Sequence, residues 1–360
     1  MNKPVLHQVT IGATIGDAIS AHVFLLRRWL RELGFVSDIY AEHIHPDLKK
    51  EVFPIESYQP SSADAQVILH HSIGSAVVDR LLTLPGRFIL IYHNITPPQF
   101  FNGVDQELVR QMEEGREQLL ALQPRTSLAL AVSPYNEVEL QALGFSSTQV
   151  APLVLDESQY DFPSNPALQA QFEGDGPLLL FVGRIVPNKR PEDLIKLLYY
   201  YRRIEPDAKL ILVGGTWLPT YDHWLKDLAK DLGLEDALIL TGHIPQQDMV
   251  TLYRLADLYV SMSEHEGFGK PLIESMYLGL PILAYASSGV PGTMGKAGVL
   301  FHEKNYEVLA ELVDILVRDA ELRQKIIVGQ RNEVARFLEP QVHQRFTAAI
   351  KAVQPLSSAG

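Results

Sequence analysis

Short runs of uninterrupted apolar residues recur along the chain, each closed by turn formers and separated from the next by helical spacing. In the first half the runs are Val5–Ile11, Val36–Tyr40, Val67–His70, Phe88–Tyr92 and Leu128–Val132. In the second half they are Leu178–Gly183, Leu210–Gly214, Ala237–Thr241, Leu258–Ser261, Pro281–Tyr285 and Gly298–Phe301. Strands that are apolar throughout suit a parallel sheet covered on both faces by helices. Amphipathic stretches such as Ala18–Leu33, Glu107–Leu122, Pro191–Ile204 and Thr220–Leu232 supply the helices. Strand–helix alternation of this kind predicts βαβ units, and two such series predict an α/β protein with two Rossmann-like domains.

The boundary is expected within Pro152–Pro177, where Pro, Gly and Asp displace the regular apolar positions. The expected domains are therefore 1–155 and 156–339. A last helical pattern, Pro340–Val353, follows the second series and either stands alone or crosses back to the first domain, taking 340–360 with it. No repeat with a period of roughly 20–50 residues is visible, and low complexity is confined to the tail PLSSAG.

Composition narrows the class. Among 360 residues there is no cysteine, which excludes a disulfide scaffold, thiolate metal sites and a cysteine nucleophile. With 31 basic and 43 acidic side chains the net charge is −12, which argues against a nucleic-acid partner held by phosphate neutralisation. The first part, to residue 155, carries 11 basic and 16 acidic residues, and the second 20 and 27, so neither half is basic. Arg27, Arg28 and Arg31 come nearest to a basic block, and at most weak peripheral association with a membrane is expected. No apolar stretch approaches the ~20 residues of a membrane-spanning helix. The N-terminus lacks the apolar core of a signal peptide, so a cytoplasmic protein is expected.

Four clusters carry chemistry. In the first, Phe181–Pro191, a strand ends at Gly183 and Pro191-Glu192-Asp193 opens a helix. Arg184 and Lys189 then lie on a loop at the C-terminal edge of a strand, where open α/β sheets place ligands. Two cations there can grip a diphosphate, Arg as a fork and Lys as a point charge; a solvated basic loop is the plainer alternative. The second cluster is SEHEGFGKPLIESM, Ser263–Met276. Its glycines let backbone approach a ligand, and the helix starting near Pro271 offers unpaired amides to an anion. Glu266 and Glu274 can look at one cleft and take hydrogen bonds from a sugar diol.

In the third cluster His93 ends an apolar strand before Asn94, Thr96 and two prolines, and His70 and His71 end the strand before it. No Asp, Glu or His stands nearby at metal-ligand spacing, so no metal site is expected. The fourth, Gly12–Ser20, is not a G-x-G-x-x-G fingerprint. Gly16 could still offer its amide to a phosphate, and Asp17 could bind acceptor hydroxyls or cap the helix that follows.

Glu266-x7-Glu274, preceded by GRIVPNKRPEDLI and followed by LGLPILAY, resembles the retaining glycosyltransferases of family 4 with the GT-B fold. The resemblance is sharp from about Pro177 to Phe301 and weaker before it. It implies two Rossmann-like domains facing a central cleft, with the C-terminal helix crossing back. It implies that Arg184 and Lys189 hold the donor diphosphate and that Glu274 takes the ribose hydroxyls. Glu266, with the amides of Phe268, Gly269 and Lys270, would contact the transferred sugar. Amides of Leu272 and Ile273 would meet the diphosphate, and His243 and Ile244 the nucleobase. His93 would face the donor sugar, with Asn94, Thr96, His70, His71 and Asp17 on the acceptor side. The pair Gly16-Asp17 departs from the adjacent glycines common in that family.

The implied reaction moves a hexosyl unit from a UDP- or GDP-sugar to a sugar, glycolipid or small-molecule hydroxyl, in polysaccharide or glycoconjugate synthesis. No cofactor beyond the donor is implied. Asp-x-Asp is absent from the chain, which agrees with a family that works without metal. Rival readings are a non-hydrolysing epimerase or phosphorylase of similar fold, an inactive nucleotide-sugar-binding scaffold, and an NAD-dependent oxidoreductase. Loss of Arg184, Lys189 or Glu274 would have marked the scaffold, and the oxidoreductase lacks its fingerprint.

Overall fold

A computed structural model describes residues 3–172, 176–215 and 218–354. The described residues form two parallel sheets, of seven and six strands. The first contains β1 (His7–Ala13), β2 (Ile39–Ile44), β3 (Val52–Pro54), β4 (Gln66–His71), β5 (Arg87–Tyr92), β6 (Thr126–Ala131) and β7 (Thr148–Val150), in the order β3-β2-β1-β4-β5-β6-β7. The second contains β8 (Leu178–Val182), β9 (Lys209–Val213), β10 (Leu238–Gly242), β11 (Leu258–Ser261), β12 (Ile282–Tyr285) and β13 (Val299–Phe301), in the order β10-β9-β8-β11-β12-β13. Both are Rossmann-like, as the alternation predicted. The chain folds as two compact units: residues up to Gln99 with Glu107–Val154 and those from Glu339, and Phe100–Gln106 with Leu155–Leu338. The tail PLSSAG and part of the expected linker, 173–175, lie outside the described residues.

The central strands are apolar because helices cover both their faces. All five residues of β8 are buried, and so is β5 from Phe88 onward. Strands β3 and β7, absent from the sequence reading, are three-residue edge strands with mostly exposed or half-exposed side chains. Too short for any periodicity to register, they show no signal in the sequence.

In each sheet the chain turns from one edge to the other at one place: between β1 and β4 in the first, and between β8 and β11 in the second. Open α/β sheets bind ligands at the carboxyl ends of such strands. The loops after β8 and β11 are those that carry Arg184, Lys189 and Glu266. The ends of β4 and β5 carry His70, His71 and His93.

The helix Glu339–Val353 belongs to the first unit. It packs on the helix Ala18–Glu32: the buried Trp29 ring meets His343 at 4.8 Å and Phe346 at 5.7 Å, and its indole N–H donates to Glu339 Oε1 at 3.0 Å. The three arginines of the first helix each face a carboxylate: Arg27 on Glu51 at 2.5 Å, Arg28 on Glu339 at 2.6 Å and Arg31 on Asp38 at 3.2 Å. Among the described residues no helix is long and apolar enough to cross a membrane.

Candidate active site

In the second unit the β8 loop is built by close backbone approach. A Cβ on Gly214 at the end of β9 would lie 1.8 Å from the Gly183 carbonyl oxygen, so only glycine fits there. Beyond Gly183, Arg184 is exposed, and Pro187–Lys189 forms one 3-10 turn before the helix Pro191–Tyr201.

Asn188, at the centre of that turn, ties this loop to the loop after β11. Its carbonyl accepts from the Glu264 amide at 2.9 Å, and its side-chain N–H donates to the His265 carbonyl at 3.0 Å. The next two side chains, one from each loop, then meet: Lys189 Nζ lies 2.5 Å from Glu266 Oε2, both mostly buried. Burial pulls the Lys189 ammonium below its usual pKa; Glu266 opposes this and the nearby Arg184 reinforces it. Glu266 is held in turn by Ser288, whose hydroxyl accepts its amide at 2.7 Å, and by Gly289, whose amide donates to its carbonyl at 2.9 Å.

Gly269, with φ of 86°, caps the helix Lys270–Leu278. Pro271 has no amide, and the Leu272 amide donates to the Gly269 carbonyl at 3.0 Å. Ile273, the fourth helical residue, lies past the unpaired amides of the first turn. The amides left at this helix start are those of Gly269 and Lys270, so a contact of Leu272 and Ile273 with a phosphate would need that turn to open. Phe268 is buried against Phe337, its carbonyl taken by Thr293 at 2.6 Å.

Glu274, one turn into the helix, is 4% exposed. Each carboxylate oxygen accepts a tyrosine hydroxyl, Oε1 from Tyr160 at 2.8 Å and Oε2 from Tyr253 at 2.7 Å, and Lys270 Nζ stands 3.5 Å away. Burial, reinforced by Glu274, pushes both phenols well above their usual range, so each stays a donor. A carboxylate has about four lone-pair directions. Two remain for hydroxyls of a ligand. His243 is exposed and Ile244 half-buried on the loop after β10.

Beside the site, Asp193 receives Lys304 Nζ at 2.8 Å and the Tyr306 hydroxyl at 2.8 Å, and Arg190 at 3.3 Å. Lys304 also reaches Glu264 at 2.8 Å. Burial would raise the Asp193 carboxyl, but the hydrogen bonds from Lys304 and Tyr306 outweigh it and bring it to about 2. The network braces both ligand loops. Sequence reading missed the network's contacts from Lys304 and Tyr306, and also Tyr160 and Tyr253, because these partners are far apart in the chain.

In the first unit Asp17 caps the helix Ala18–Glu32, its carboxylate accepting the Ser20 amide at 2.8 Å, while Gly16 is exposed with φ of 83°. His71 Nε2 donates to the Gly115 carbonyl at 2.9 Å, and burial lowers its imidazole to about 4. Asn94, in the left-handed region with φ of 79°, points inward to Asn136 and Glu139, each at 3.2 Å. Thr96 is half-buried. His93 Nε2 lies 3.0 Å from His70 Nδ1, and its Nδ1 is buried with no partner. The expectation that no metal-ligand set involves these histidines meets a different arrangement: His22, from the first helix, joins His70 and His93 in one cluster.

The two sheets are Rossmann-like, with cations and carboxylates on the ligand-side loops of the second. Residues 168–333 match the family model described as glycosyl transferases group 1. The D-inositol 3-phosphate glycosyltransferase of Stackebrandtia nassauensis is 30% identical over 171 residues, 45% of this chain and 39% of that protein. Matches to the curated relatives take in about two fifths of their own length. In fold the likeness runs the whole length. A sucrose-phosphate synthase from Thermosynechococcus elongatus superposes with a TM-score of 0.77 at 18% identity, covering 99% of this chain and 100% of that one. Anabaena HepE in complex with UDP and glucose gives 0.74 at 17% identity, covering 97% and 100%. The architecture is GT-B.

Proposed function

We propose that the protein is a retaining glycosyltransferase that moves a hexosyl unit from a nucleoside-diphosphate sugar to an acceptor hydroxyl. One juxtaposition carries the reading: Asn188 binds the Arg184–Lys189 loop to the Glu266 loop at the switch point of the second sheet, beside the helix that holds Glu274. The diphosphate is neutralised by Arg184 and Lys189, with the amides of Gly269 and Lys270 adding the positive end of a helix. As Lys189 turns to phosphate, Glu266 is released to accept hydroxyls of the transferred sugar. Glu274, fixed by its two tyrosines, uses its remaining lone pairs on the ribose diol, and His243 and Ile244 flank the base.

In the chemical step the acceptor oxygen bonds to the anomeric carbon as the carbon–phosphate-oxygen bond breaks. The leaving oxygen keeps the electron pair and takes the acceptor proton on the same face, which retains configuration. Charge grows on the diphosphate, so fixed cations there stabilise the transition state, and on this reading no divalent cation is needed at the phosphates. The donor is a UDP- or GDP-sugar; the acceptor is a sugar, glycolipid or small molecule in a polysaccharide or glycoconjugate route at the cytoplasmic side. His93→Ala is expected to lower turnover more than donor affinity, read from kcat and KM separately.

The test is to incubate the full chain with a panel of nucleotide sugars and acceptors and follow nucleoside diphosphate release, then read the product's anomeric configuration by NMR. Transfer with retention is expected. An inverted product, or sugar epimerised at C2 with no acceptor present, would overturn it.

A further inference from the structure

His22 in the helix Ala18–Glu32, His70 at the end of β4 and His93 after β5 converge beside the switch point of the first sheet. One ring nitrogen from each lies within 4.8 Å of the other two. The His70 and His93 rings are near-parallel, 5.3 Å between centroids. The His22 ring stands at right angles to both, at 6.0 Å and 5.8 Å.

From this geometry we propose that the three histidines form a binding site for a divalent transition cation of the zinc class. Nitrogens sharing a tetrahedral zinc at 2.0–2.1 Å sit about 3.3 Å apart. The His70 Nδ1–His93 Nε2 separation of 3.0 Å is already within a few tenths of that. His22 must close the rest, up to about 1.5 Å for nitrogens that begin 4.8 Å apart.

The tautomer of His70 is set for ligation. Gln8 donates its side-chain N–H to the Val23 carbonyl at 3.0 Å, which leaves its oxygen facing His70 Nε2 at 3.0 Å. His70 therefore carries its proton on Nε2 and its lone pair on Nδ1, toward the cluster. An outer acceptor that fixes the ring in this way is the usual partner of a metal-ligating histidine.

The hydrogen bonds also leave a remainder. Among the described residues His22 Nδ1 is buried without a partner, where nearly all buried polar atoms have one. Among the described residues no carboxylate joins the cluster. Calcium and magnesium, which need oxygen ligands, do not fit, whereas imidazole suits zinc, cobalt, nickel and copper. Three protein ligands leave a fourth position open to water or a substrate oxygen. The site shares His93 with the proposed transfer reaction, and its other two ligands, His22 and His70, belong to the first unit alone.

The test is to treat the full, tag-free chain with chelator, remove the chelator, and titrate with Co2+, then Zn2+. One equivalent of cobalt with the visible bands of a tetrahedral site, displaced by zinc, is expected. His22→Gln and His70→Gln should each weaken binding at least about tenfold, while the exposed His302→Gln should leave it unchanged. Should the buried variants fail to fold, X-ray absorption of the zinc-loaded wild-type chain decides, with three imidazole scatterers expected. No retained metal, an octahedral cobalt spectrum, or an all-oxygen shell would overturn the proposal and leave a hydrogen-bonded histidine cluster.

Discussion

Glu274 keeps its place through two phenolic hydroxyls, one on each carboxylate oxygen. A hydrogen bond to a charged group contributes about 1.5–3 kcal/mol, so Tyr253→Phe should lower the urea-unfolding free energy by about that much and weaken nucleotide binding together with it. A loss of stability with nucleotide affinity unchanged would detach the tyrosine from the site. Asp193 offers a pH test. Its folded carboxyl titrates at about 2, below the ~3.9 of an unfolded chain. Its contribution to stability is complete above about pH 4 and is lost as pH falls toward 2. Asp193→Asn should therefore flatten the acid limb of the stability profile in that window while lowering stability at neutral pH. At this scale Glu266 and Glu274 were legible because their spacing on a loop and helix start carries meaning. Tyr160 was not legible, since 114 residues separate it from the carboxylate it holds.

Elements were legible where their patterns are long. The apolar runs give the central strands because burial on both faces leaves no room for polar alternation, while β3 and β7 escaped notice as three-residue edges. Helix starts were located, but which amides remain unpaired depends on the last ångström of the turn: Leu272 gives its N–H to Gly269. The histidine cluster draws on one helix and two strands, so no local spacing announces it. The helix Glu339–Val353 is held on the first unit in part by Trp29. Replacing a buried tryptophan with alanine costs about 3–5 kcal/mol. Trp29→Ala should show that loss in denaturant unfolding; a cost below 1 kcal/mol would mean the helix docks by other contacts.

Over the whole molecule the charge of −12 acquires a structural meaning. The arginines nearest to a basic block are each paired with a carboxylate, so the first helix presents no unopposed cationic face. On the proposed reading an anionic donor must be captured by local cations within an acidic protein, and these stand on the loops of the second sheet. The family match covers that part alone, residues 168–333, which is also where the sequence motifs are sharp; the first unit shares the fold with less of the pattern, so its acceptor chemistry was the least legible. The central claim is that Arg184 and Lys189 hold a nucleoside diphosphate, and calorimetric titration of UDP and GDP into wild-type and Arg184→Ala protein tests it most directly. Arg184 is exposed, so the variant should fold with near-wild-type stability. The account predicts that wild type binds at least one of the two and that the variant binds it about ten- to a hundredfold more weakly. Equal affinity in both proteins, or no binding of either nucleotide, would contradict it.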